Sequence, residues 1–198
     1  MKTYLPLKKI HVDKVVYITI ISTILLILEK YHSFFSWKPL DRTFLYLVIP
    51  LVLIIFVFRE TPATYGFRLG DWKTGLLLTA GSLVLALPVL WLVVRGNESM
   101  RIYYQGLINS SLPVYTFFDL IGWEFLFRGW LTFAYVEKYG SDGLWLQAVP
   151  FALAHISKPE IETLSTIFGG YVFGWIAWKS NSFLYPFLIH WSIFHSLF

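Results

Sequence analysis

The sequence contains no cysteine. That excludes a disulfide framework, a thiolate metal site and a cysteine nucleophile. Charge is also scarce. Asp, Glu, Lys and Arg make up 14% of the 198 residues, against about 25% in an ordinary soluble domain. Hydrophobic residues reach 57% and aromatics 20%, and mean hydropathy is +0.62. These figures exclude disorder, a nucleic-acid-binding tail and an ordinary soluble enzyme. A net charge of +4 is too small to imply a nucleic-acid partner, but it suits loops that face anionic lipid. The chain shows no internal repeat, low-complexity tract or second domain. Nor does it show an Ala-x-Ala cleavage site after its first apolar run, where Leu28 leads into Glu29, Lys30, Tyr31 and His32. The basic start (Lys2, Lys8, Lys9, Lys14) therefore reads as the flank of a retained helix rather than of a signal peptide.

What remains is a set of apolar runs. A membrane helix needs roughly 20 mostly apolar residues, and seven stretches are candidates: Val15 to Leu28, Thr43 to Phe58, Thr74 to Val94, Leu112 to Val136, Gly143 to Ile156, Thr163 to Trp178, and Ser182 to Phe198. The pattern predicts an all-α polytopic membrane protein, with about seven transmembrane helices in one bundle around an intramembrane polar cavity. The whole chain, residues 1–198, forms a single integral membrane domain. The first run extends through Tyr31. The fifth and sixth are parted only by Ser157 to Glu162, which predicts a tight hairpin. Arg59 to Lys73 reads as an interfacial segment, and Arg95 to Ser111 is the longest polar loop. Nine Lys and Arg on one side against six on the other favour an N-terminus inside.

The fourth run carries charge where it is costly. Asp119, Glu124 and Arg128 lie within it, at about 2.5–3.5 kcal/mol each near a bilayer centre. Glu124 and Arg128 are spaced i, i+4 and share a helix face. An ion pair there offsets part of the cost, whether its role is structural or functional. His155 ends the fifth run, and His190 and His195 lie in the last. Five residues apart, the latter two fall on different helix faces, so one of them points at a shared site. Glu162 lies in the first turn of the sixth helix, after Pro159, where the helix dipole favours an acid. Neutral imidazoles and a carboxylate in a dry cavity suit water activation, with or without a metal. Two His and one Glu match a zinc set of three ligands. They equally match a metal-free site in which Glu polarises water and His stabilises an oxyanion. Gly170 and Gly174 form a GxxxG pattern, read as helix packing against the helix that carries Glu124.

These residues resemble a known family. Glu124-Phe125-Leu126-Phe127-Arg128-Gly129 looks like the second half of an EExxxR motif, Phe151-Ala152-Leu153-Ala154-His155 is similar to FxxxH, and His190 looks like the start of HxxxN. The family is the CPBP (Abi) group of intramembrane proteases, which includes the type II CAAX prenyl proteases and bacteriocin-processing or immunity proteins. The motif-bearing core is residues 113–198. The resemblance implies a multi-helix membrane fold with a cavity lined by these residues and endopeptidase activity near the membrane surface. Two positions depart from the pattern. Trp123 stands at the first Glu and Phe194 at the Asn; neither can be a base, and Phe cannot donate a hydrogen bond. The stretch His155-x-x-Lys158-Pro159-x-x-Glu162 resembles bacterial branches with a single Glu in the first motif, the myxosortase-like proteins.

The resemblance implies the following assignments. Glu124 or Glu162, with His155, deprotonates a water. His190 holds the oxyanion or is a second metal ligand. Arg128 holds Glu124 in place. Zn2+ is the candidate metal, with Glu124, His155 and His190 as ligands, and the need for any metal stays open. The substrate is a membrane-associated peptide or a protein C-terminal tail, in a bacterial inner membrane. Two alternatives stand beside this reading. One is a non-catalytic relative that binds a membrane peptide or confers bacteriocin immunity. The other is a small transporter, which the lack of an internal repeat weakens.

Overall fold

The structure is a computed structural model that describes residues 12–106 and 112–196. Among these residues the secondary structure is entirely helical. Helix α1 spans Lys14–Tyr31. Helix α2 runs Lys38–Phe58, and α3 spans Trp72–Gly96. The short α4 is Glu98–Gln105. Helix α5 is one rod made of Leu112–Glu124, a π-helical stretch Phe125–Leu131 and Thr132–Tyr139. Helix α6 spans Asp142–Leu153, α7 Glu160–Ser180 and α8 Leu184–Ser196. Each of the seven apolar runs is thus a helix, and α1 reaches Tyr31 as its sequence suggests. The addition is α4, inside the polar loop. Its N-cap Asn97 accepts a hydrogen bond from Met100 N (3.1 Å), and it buries Met100 and Tyr104. The basic residues Lys2, Lys8 and Lys9, the loop positions 107–111 and the last two residues lie outside the described residues.

Local chemistry explains the boundaries. Asp13 caps α1 through Val15 N (3.3 Å), and Asp71 caps α3 through Thr74 N (3.1 Å), satisfying orphan N–H groups of the first turn. Pro50 sits within α2 between two π-helical stretches, Phe44–Val48 and Leu53–Phe58. A proline lacks the N–H that a regular turn needs, so wider turns on either side are an expected adjustment. Between α2 and α3, residues 59–71 fold against the bundle. Tyr65 is buried there, and its hydroxyl donates to Glu60 Oε2 (2.6 Å). Burial works against the Glu60 carboxylate, but the hydrogen bonds from Tyr65 and from Lys14 (2.9 Å) outweigh it and hold the pKa below its ordinary value.

Among the described residues two helices, α2 and α3, are long and apolar enough to cross a membrane. Helix α3 buries only Gly75 and Thr79, while Leu77, Val84 and Leu85 are 74%, 73% and 75% exposed. An apolar rod of 25 residues, about 37 Å long, does not present such a surface to water. In α1 both faces are apolar: Val15, Ile18 and Leu25 point inward, and Tyr17, Ile20, Ile24 and Ile27 outward. The chain is a membrane protein.

Ion pairs tie the helices together at two ends of the bundle. At one end Lys14 pairs with Glu60 and Glu137, and Asp13 with Lys138. At the other, Glu29 pairs with Lys38 (2.9 Å) and Arg42 (3.2 Å), and Arg42 with Asp119 (2.6 Å). These contacts make α1 antiparallel to both α2 and α5. Trp130, fully buried, ties α5 to α1 by donating from Nε1 to Ser22 Oγ (3.0 Å). The GxxxG stripe does not act mainly on α5. A Cβ at Gly170 would lie 3.0 Å from Ala148 Cβ, and one at Gly174 only 2.6 Å from Gln147 Nε2. Both partners are on α6; Thr132 of α5 lies further off, at 3.5 Å. Gln147 Nε2 donates to Gly170 O (2.6 Å), so the small residues let an amide lock α6 to α7.

Candidate active site

Glu124 ends the regular part of α5, and the π-helical turn begins at the next residue. Such turns concentrate at functional sites because they re-aim side chains without breaking the helix. Thr132 Oγ1 donates to Phe127 O, five residues back (2.7 Å), which marks the widened turn. Every residue from Phe125 to Leu131 is buried, and Glu124 and Arg128 are 0% exposed. The expected i, i+4 pair forms, with Arg128 Nε 3.3 Å from Glu124 Oε2. The alignment is not that of a hydrogen bond, and the guanidinium nitrogens have no acceptor among the described residues. The guanidinium instead lies 3.8 Å from the centre of the Phe151 ring and 5.3 Å from that of Phe173, where the ring faces offset part of its charge.

The other oxygen of Glu124 is bonded to His190. Nδ1 of His190, on α8, is 2.6 Å from Glu124 Oε1. A carboxylate accepts, so Nδ1 carries the proton and Nε2 is the ring's acceptor. His195 faces elsewhere, with Nε2 2.9 Å from Thr116 Oγ1. Of the two histidines on this helix, one therefore joins the site.

His155 follows the end of α6 in a turn. Its Nδ1 donates to Phe151 O (2.7 Å), again leaving Nε2 as the acceptor. The turn is fixed by Lys158 N donating to His155 O (2.9 Å) and by Thr163 Oγ1 donating to the same carbonyl (2.7 Å). Trp123 meets the His155 ring edge-on at 5.6 Å. Arg42 lies over the other side of the site, 4.9 Å from the Trp123 ring centre. Gly122 permits that approach, since a Cβ there would lie 2.5 Å from Arg42 O.

Two cavities meet at the histidines. One, of about 380 Å³, is lined by Lys38, Arg42, Asp119 and Trp123. The other, of about 260 Å³, is apolar and lined by Val89, Ile161, Phe173 and Ile193. His155, Lys158, His190 and Phe194 line both. Glu124 and Arg128 line neither and stand behind His190. Glu162 lines only the apolar cavity and bonds Lys158 Nζ through Oε1 (2.7 Å).

The site therefore unites four of the five residues singled out from sequence, with one change of partner: Glu124 is joined to His190 rather than to His155. Glu162 lines the apolar cavity beside the two histidines and is bonded there to Lys158. The zinc set of Glu124, His155 and His190 does not fit this arrangement. Among the described residues no three His, Asp or Glu come together as metal ligands, because the Glu124 oxygens face His190 and Arg128. Sequence reasoning missed Arg42 and Lys38, which read only as topology charges. The charge of Asp119 within the fourth run was the one hint that a basic partner lay opposite. With two acceptor nitrogens at one cavity and a carboxylate behind one of them, the arrangement can hold a water and remove its proton.

The family model described as Type II CAAX prenyl endopeptidase Rce1-like matches residues 105–193. No curated protein and no solved structure matches the chain.

Proposed function

We propose, from the match of residues 105–193 to the Rce1-like family model, that the chain is an intramembrane endopeptidase that hydrolyses a peptide bond of a membrane-associated peptide or protein tail. The observation that carries this is the Glu124–His190 contact of 2.6 Å, placed behind a cavity that His155 and His190 share.

The chemistry follows from the two committed Nδ1 atoms. His155 and His190 each offer an Nε2 acceptor to the cavities they share, where a water can donate to His190. As the water oxygen adds to the scissile carbonyl carbon, His190 Nε2 takes one of its protons. Glu124 offsets the charge of the resulting imidazolium, and Arg128 offsets that of Glu124. The C–N bond then breaks as His190 passes the proton to the leaving nitrogen. The new carboxylic acid gives up its remaining proton to solvent. No step runs through a metal. The bundle sits in a bacterial cytoplasmic membrane with about seven helices crossing. Helix α6, at 12 residues, is about 18 Å long and shorter than the hydrocarbon core of about 30 Å. His155 at its end is thereby held below the surface.

Trp123 and Phe194 favour a second reading, a peptide-binding relative without catalysis. Purified protein in liposomes, given lipid-anchored peptides and followed by mass spectrometry, separates the two. Hydrolysis is expected to cut at a defined bond and to be lost in His155→Ala and His190→Ala. Binding without a cut, or a cut retained in both variants, contradicts the endopeptidase reading.

A further inference from the structure

Hydrolysis by two neutral imidazoles leaves one requirement unmet. As water adds, the carbonyl oxygen becomes an oxyanion and needs hydrogen-bond donors. Neither imidazole can supply one at that moment. In both rings Nδ1 is committed, to Phe151 O at 2.7 Å and to Glu124 Oε1 at 2.6 Å; His155 Nε2 is an acceptor, and the proton that His190 Nε2 takes from the water is directed to the leaving nitrogen. Phe194, which lines both cavities one turn beyond His190, has no polar side-chain atom. Glu124 and Arg128 are sealed behind the site at 0% exposure.

One cation is placed differently. Lys158 lines both cavities alongside the two histidines, whereas Lys38 and Arg42 line only the first. All three are held by acids, Lys38 by Glu29, Arg42 by Glu29 and Asp119, and Lys158 by Glu162, so the difference lies in the position of Lys158 between the cavities. Lys158 is tethered at both ends of its side chain. Its backbone N–H donates to His155 O (2.9 Å), which fixes its Cα three residues from the catalytic ring. Its Nζ donates to Glu162 Oε1 (2.7 Å). Glu162 is itself fixed in the first turn of α7, which begins immediately after Pro159. An ammonium has three N–H donors; one is directed at Glu162, and the residue lines both cavities. The Lys158 side chain is 23% exposed, so it is reachable from the cavity without being free to leave it.

We propose that Lys158 is a further catalytic residue, whose ammonium donates to the oxyanion formed on the scissile carbonyl, and that Glu162 is a positioning residue acting through it. This rests on the endopeptidase reading above. In the balanced reaction Lys158 transfers no proton. It lends hydrogen bonds and positive charge as negative charge develops on the carbonyl oxygen, and releases them when the C–N bond breaks.

The test measures kcat and KM of the parent, Lys158→Met, Lys158→Arg and Glu162→Gln proteins in liposomes, with a lipid-anchored peptide in free-acid and C-terminally amidated forms. Loss of an oxyanion donor costs roughly 10²–10³ in kcat. Lys158→Met is expected to show that loss with KM within about threefold, on both peptides alike. Lys158→Arg is expected to recover part of kcat, because the cation is kept, and Glu162→Gln to lower kcat by roughly tenfold. Retained peptide binding in Lys158→Met shows that the variant is folded. An active parent with unchanged kcat in Lys158→Met overturns the proposal. So does a rise in KM confined to the free-acid peptide, which would make Lys158 an anchor for the substrate carboxylate. A parent that cuts neither peptide overturns the endopeptidase reading itself, and this proposal with it.

Discussion

Glu124→Gln is expected to lower the cleavage rate about 10²–10⁴-fold, the range of general acid–base contributions. Glutamine keeps the shape and can still accept from His190 Nδ1, but it cannot offset an imidazolium. The same substitution is expected to destabilise the protein. Glu124 and Arg128 are both fully buried, 3.3 Å apart, and Arg128 has no hydrogen-bond acceptor among the described residues. Removing the carboxylate leaves a buried, uncompensated guanidinium, which costs about 3–5 kcal/mol. Adding Arg128→Met is expected to return most of that stability and none of the activity, since methionine fills the volume beside Phe151 without a charge. Thermal unfolding in detergent, read beside the cleavage rate, checks both parts. A double variant that regains activity along with stability would mean that Glu124 serves only to hold Arg128.

Trp123→Ala is expected to have the second-largest effect, through packing. The ring contacts Tyr46, Phe127, Phe151 and His155 at centroid distances of 5.9, 5.1, 6.2 and 5.6 Å, and Arg42 lies 4.9 Å from it. Truncating a buried tryptophan costs about 3–5 kcal/mol. It also frees the edge of His155, and a misplacement of about 1 Å in such a group can cost about 10²-fold in rate. Trp123→Phe is expected to recover most of the stability and part of the rate. Unfolding midpoints and kcat for the two variants measure this. Full activity in a stable Trp123→Ala protein would remove Trp123 from the site. On this account the residue that replaces the acid of the family motif is not a vacancy. It is the wall that holds His155, and the base has passed to a histidine supported by the remaining acid.

Much of this was legible in the sequence, and the boundary is physical. Apolar runs and caps are local, so the seven helices could be read directly, as could the Glu124–Arg128 pair at one helical turn. The choice between His190 and His195 was half legible, because their spacing allows only one to face the site. The pairing of Glu124 with His190 spans 66 residues and that of Arg42 with Asp119 spans 77. No local periodicity encodes either one; they arise when helices pack. Helix α4 was hidden for another reason. Its eight residues are too few and too polar to stand out within the loop, and its only local marker is the Asn97 cap. The GxxxG stripe showed that a close contact exists but not with which helix. That depended on Gln147, whose amide reaches the Gly170 carbonyl (2.6 Å).

The most direct test of the central claim is a double-mutant cycle on Glu124 and His190, with peptide cleavage in liposomes as the readout. Residues that act as one unit are far from additive. The account predicts that His190→Ala lowers the rate about as much as Glu124→Gln does, and that the double variant is little slower than either single one. Losses that multiply, or a His190→Ala protein that cleaves at the parent rate, would contradict it.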